Sequence, residues 1–150
     1  MTKKLHIVFL CGWYPSKVLP TNGDFIERHA KAVSSLHKVT VFHIITDINA
    51  TKKIEIDSNS LNGIDTHIAY LKQVKNPFLK AYLFLKAYKL LLTKVHHFDL
   101  IHLNEVFPFG LFCLYSTFFH KKKYIISEHF TGYLSFSKTK INYFHQQISK

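Results

Sequence analysis

The feature that most constrains this chain is its first apolar run. Residues 5–11, Leu-His-Ile-Val-Phe-Leu-Cys, are almost unbroken in hydrophobicity. That pattern marks a strand buried on both faces, as in a parallel sheet. Gly12 ends the run, and a loop holding Pro15, Pro20 and Gly23 leads into a predicted helix over 24–36. Thr21 with Asp24 three residues on reads as a capping-box-like start, with Asp in place of the usual Glu. A strand feeding a helix in this way is the opening unit of an open parallel sheet, whose loops at the carboxyl ends of the strands bind ligands. Gly23 is expected to let a ligand approach the N–H groups at the helix tip, an anion site.

Downstream, the pattern alternates between strand and helix. Residues 38–45 are rich in β-branched side chains and predict a second strand. Residues 52–57 and 64–70 alternate polar with apolar around a turn over 58–63, predicting a half-exposed hairpin or edge pair inserted between the buried strands. Asn76-Pro77 opens a helix to about residue 96. Its inward arc is expected to hold Ala81, Phe84, Leu85, Tyr88, Leu91, Leu92 and Val95, leaving Leu79, Tyr82, Leu83 and Leu90 among the lysines. Two readings of that second face stand: packing on another domain or loop, or the interface of an anionic membrane. Residues 99–103 predict a buried strand, 109–119 an apolar helix covered on most sides, 124–127 a further strand, and 137–150 a weakly helical polar tail. The expected fold is a single α/β domain over 1–150, doubly wound, with a mainly parallel sheet, helices on both faces and a small antiparallel hairpin insertion.

Composition narrows the function classes. At 47% apolar, with 14 Phe and 8 Tyr in 150 residues, the chain can bury a core and is not of the disordered class. A formal charge of +11 calls for an anionic partner: nucleic acid, an acidic bilayer face or a phosphorylated substrate. Nucleic acid is disfavoured, because the lysines are dispersed and no nucleic-acid motif appears. Cys11 and Cys113 form neither a disulfide framework nor a metal spacing, and read as reduced cytosolic thiols. No signal peptide or spanning helix is expected, since 107–119 is short and contains Pro108 and Gly110. A cytoplasmic protein, peripheral on the inner face of the membrane, fits this pattern.

Three loops are expected to meet at the carboxyl edge of the sheet: 12–24, 104–108 and 128–133. They offer polar side chains for sugar hydroxyls (Asn104, Glu105, Glu128, His129, Thr131) and aromatic faces for stacking (Trp13, Tyr14, Phe130, Tyr133). Gly12, Gly23 and Asp24 complete the expected substrate wall. There is no G-x-G-x-x-G after the first strand and no Walker lysine, which disfavours a dinucleotide cofactor. No H-E-x-x-H or C-x-x-C occurs, so no metal site is expected. His129 is the leading candidate for a catalytic or orienting role, because it follows a buried strand directly and titrates near neutral pH; its competing role is a strand-end cap. Glu105 and Glu128 are candidates for an acid/base pair. His6, His43 and His102 lie inside strands and read as structural, and Glu27, Arg28 and Lys31 as a solvated helix face.

Taken in order, Gly12-Trp13-Tyr14-Pro15, then residues 22–32, then Asp99-Leu100-Ile101-His102, and finally residues 126–133 resemble the N-terminal domain of family 4 glycosyltransferases of the GT-B fold. The resemblance runs to about residue 135. It implies a Rossmann-like acceptor-binding half that faces a separate donor-binding domain across a cleft. The implied reaction is metal-free transfer, with retention, from a nucleotide-sugar to a glycan or lipid-linked acceptor in surface polysaccharide biosynthesis. His129 falls at the family's active-site histidine, Gly23 in its phosphate-facing loop, Asp24 where many relatives have a second glycine, and Asn104 at the acceptor wall. The donor domain has no counterpart here, so the chain is expected to be a fragment, a truncated frame or one subunit of a split transferase. It is then inactive alone, with no cofactor of its own. The alternative is a non-catalytic basic module for membranes or nucleic acid.

Overall fold

The computed structural model describes residues 3–129. In it the first apolar run becomes β1 (His6–Cys11), followed by α1 (Asp24–Ser34), β2 (Lys38–Asp47), β3 (Ile54–Leu61) and β4 (Ile64–Lys72). Then come α2 (Pro77–Leu92), β5 (Leu100–Leu103), α3 (Gly110–His120) and β6 (Lys123–Ile126). One six-stranded sheet runs in the order β3-β4-β2-β1-β5-β6. Four pairings are parallel, and β3 with β4 is antiparallel. This is the α/β architecture, mostly parallel, that the alternation predicts. The chain steps from β1 to β2 in one direction and returns to β5 on the other side. A topological switch point therefore falls between β1 and β5, where a crevice opens in such sheets.

Strand alternation divides the core in two. Val8 and Leu10 join Phe42, Ile44, Ala69, Leu71, Ile101 and Leu103 under α2 and α3, which add Leu83, Tyr88, Leu91 and Phe112. Ile7, Phe9 and Cys11 join Val39, Val41, Ile68 and Tyr70 under α1, which adds Ile26 and Ala30. Both faces of β1 are thus dry, which explains why its sequence shows no polar alternation. The half-buried imidazole on β1 uses both its nitrogens: His6 Nδ1 donates to the His97 carbonyl at 2.6 Å, so its Nε2 accepts from the Thr40 hydroxyl at 2.9 Å.

Four expectations need correction. No side chain caps α1; its N-cap is Gly23 in the left-handed region (φ +71°), and Thr21 plays no part in a capping box. The antiparallel hairpin is present at the sheet edge, but its second strand is not half-exposed: β4 pairs in parallel with β2 along its whole length and buries Ala69, Tyr70 and Leu71. Within the hairpin only β3 lies at the sheet edge, and the turn is the two residues Asn62-Gly63, both at positive φ as a type I′ hairpin requires. On α2 the buried residues are Leu83, Ala87, Tyr88 and Leu91, while Ala81 and Leu85 face water. On α3 only Phe112, Cys113 and Ser116 are buried, and Leu111, Leu114, Phe118 and Phe119 are exposed. Among the described residues, no helix is long and apolar enough to cross a membrane.

Candidate functional site

Because β1, β5 and β6 run the same way, their carboxyl ends share one rim. The ladder continues past the strands: Asn104 N–H donates to the Leu10 carbonyl at 3.0 Å, and Ser127 N–H to the Leu103 carbonyl at 2.8 Å. The residues that follow are therefore held in register with their neighbours, and the loop after each strand emerges beside the others.

Glu105 lies across Gly12. A Cβ on Gly12 would overlap the Glu105 carboxylate and would come within 2.7 Å of its Cδ and 2.8 Å of its Cβ. The side chain fills a space that only glycine leaves open. Burial pushes the Glu105 carboxyl up to about 7, and the charge of Glu128 adds to the shift. Glu128 is itself a clamp: its Oε2 accepts the Val106 N–H at 2.8 Å, and its Oε1 accepts the His129 N–H at 3.0 Å. It ties the loop after β5 to the end of β6.

His129 reaches the first turn of α1. Its ring centroid lies 4.8 Å from that of Phe25, at 70°, and 6.0 Å from that of His29. Its Nε2 is buried and has no hydrogen-bond partner among the described residues. Below it, His102 packs edge-on to Phe9 at 4.5 Å, and its Nε2 pairs with the Ser127 hydroxyl at 2.7 Å. Burial lowers the His102 pKa, and the neighbouring His29 and His129 lower it further. Phe25, His29 and His102 were not among the sequence candidates. The signal was present: Phe25 and His29 are four apart and so share a helix face, and strand alternation turns His102 towards α1.

The other candidates divide. Gly23 is crowded on its Cβ side, where the Trp13 carbonyl carbon and oxygen would meet a methyl at 2.5 and 2.6 Å, and the Tyr14 nitrogen at 2.8 Å. This glycine admits the chain's own loop on that side, where a ligand was expected. Asp24 is exposed and ion-pairs with Arg28 at 2.8 Å. Trp13 packs half-buried on the α1 side of the core, and Tyr14 is buried there, with its ring 6.4 Å from that of His43. Only 5% of Tyr14 is exposed, so its face is not offered for stacking, and the same burial pushes its hydroxyl up to about 12. Asn104 is wholly buried at the join of β1 and β5; its Nδ2 donates to the His102 carbonyl at 3.2 Å, and its Oδ1 has no partner among the described residues. Thr131, with Phe130 and Tyr133, lies outside the described residues.

On the other side of Gly12 a cleft of about 530 Å³ opens between the strand ends and the first turns of α2 and α3. Thr46, Lys80, Phe84, Phe107 and Leu111 line it, and Lys80 is the one charged side chain in its wall. Gly12 therefore borders both the cleft and Glu105. Among the described residues, no three His, Cys, Asp or Glu side chains are grouped as a metal would need. The rim holds a carboxyl that burial pushes up to about 7 and an imidazole whose buried Nε2 has no partner among the described residues, beside an aromatic ring. Compared with protein-family models and with curated proteins, the chain finds no match.

Proposed function

We propose that this chain is the Rossmann-like, acceptor-binding half of a retaining glycosyltransferase of the GT-B type. It works with a donor-binding domain in the same or another chain. The reaction moves a sugar from a nucleotide-sugar, a co-substrate rather than a resident cofactor, to a glycan or lipid-linked acceptor in surface polysaccharide biosynthesis. The observation that carries the reading is the 4.8 Å approach of the His129 ring to Phe25, in the first turn of α1. That approach supports a role for an imidazole nitrogen, unpartnered among the described residues, beside a helix tip that attracts phosphate. A protonated Glu105 adds a donor for a sugar hydroxyl, and the cleft beyond Gly12 has the size and lining to receive an acceptor.

The test pairs the chain with a donor-binding domain of the retaining class and follows transfer from a labelled nucleotide-sugar. His129→Ala is expected to cut transfer by about a hundredfold or more while the thermal unfolding curve stays in place. Transfer near that of the parent would remove His129 from the mechanism. The chain alone is expected to show little or no turnover.

A further inference from the structure

The outward face of α2 is apolar and basic at once. The helix buries Leu83, Ala87, Tyr88 and Leu91 towards β2 and β4. Its opposite arc carries Phe78 at 85% and Tyr82 at 57% exposure, with Leu85, Lys86 and Lys89 exposed beside them. On α3, Phe118 and Phe119 stand 80% and 72% exposed. The two helices are joined on the outside: the Lys89 Nζ lies 5.2 Å from the Tyr115 ring centroid, and Tyr115 lies 4.8 Å from Phe119. Charge over these segments has one sign. No Asp or Glu occurs between Asp65 and Asp99 or between Glu105 and Glu128, whereas the same segments hold nine lysines.

Large apolar side chains exposed together on two neighbouring helices call for a partner. Two copies of the face would set lysine against lysine, which disfavours self-association. An anionic bilayer satisfies both characters together, because aromatic rings settle at headgroup depth while lysine stems lie along them and carry their ammonium groups to the phosphates. We infer that the α2–α3 face docks on an anionic lipid bilayer, with Phe78, Tyr82 and Phe118 entering the interface and Lys86 and Lys89 meeting lipid phosphate. This docking is independent of whether the rim transfers sugar.

The experiment sediments the full 150-residue chain with vesicles of phosphatidylcholine alone and of phosphatidylcholine mixed with phosphatidylglycerol. Binding is expected only to the mixed vesicles, and it should weaken as salt is raised. Each lysine at an anionic surface contributes about fivefold in affinity, so Lys86→Glu with Lys89→Glu should lower partitioning by about thirtyfold or more. Phe78→Ser with Tyr82→Ser should also lower it. These positions face water, so unfolding curves should be unchanged in both variants. Equal sedimentation with the two vesicle types, or undiminished binding by the lysine variant, would overturn the inference. So would a dimer, seen on size exclusion, that the Phe78/Tyr82 variant dissolves, since the face would then belong to a second copy.

Discussion

Gly23 and Gly63 both have positive φ, +71° and +78°, but their surroundings differ. A methyl on Gly63 meets nothing within 4 Å, while one on Gly23 meets the Trp13 carbonyl and the Tyr14 nitrogen. Gly63→Ala should therefore cost only the left-handed term, about 1–2 kcal/mol, and Gly23→Ala clearly more. Equal losses in denaturant titrations would contradict the close approach of the loop to α1. Glu105 makes a second prediction at this scale. Folding raises its carboxyl from an ordinary 4.5 to about 7, so between those values the folded chain holds a proton that the unfolded chain has released. Its stabilising contribution is present at low pH and is lost as pH rises through 7, by up to about 3 kcal/mol. His43 and His102, with lowered pKa values, act in the opposite direction and lose stability as pH falls below 6.5. The difference between the parent and Glu105→Gln isolates the carboxyl: the variant should gain on the parent as pH climbs, and a flat difference would refute the assignment.

At the scale of elements, α2 begins where its sequence says. Asn76 Oδ1 accepts the Phe78 and Leu79 N–H groups at 2.9 and 3.1 Å. Asn76→Ala should cost about 1 kcal/mol in thermal unfolding. The start of α1 departs from the capping-box pattern because Thr21 lies too far back, and the left-handed Gly23 takes the cap position itself. Periodicity failed on α2 and α3 for a different reason: apolar side chains surround both helices, so the pattern carries almost no phase, and tertiary packing chooses the face. One anchor fixes that choice, the 2.7 Å bond between the Tyr88 hydroxyl and Ser116, both buried. Tyr88→Phe alone should cost about 1–2 kcal/mol, whereas adding Ser116→Ala should recover part of the loss, because no polar group is then left unpaired. The first residues of β4 alternate and so predict a half-exposed strand, yet its second half, Ile68 to Leu71, is solid core.

Across the whole molecule, the parallel order of β1, β5 and β6 brings distant stretches of sequence to one rim, and short apolar runs ending in Gly12, Asn104 and Ser127 made that rim legible. Side-chain direction was not legible. The spacing puts Phe25 and His29 on one helix face, but nothing in it shows that Asn104 turns inward, that Tyr14 enters the α1 side of the core, or that this face meets His129. The transferase reading we propose depends on that last meeting. Phe25 and His129 are 104 positions apart in sequence and their ring centroids 4.8 Å apart in space, close enough for a nuclear Overhauser effect. A cross-peak between the Phe25 ring protons and the imidazole protons of His129, recorded on the chain itself, is the predicted result. Its absence, with His129 instead in contact with residues away from the first turn of α1, would contradict the account.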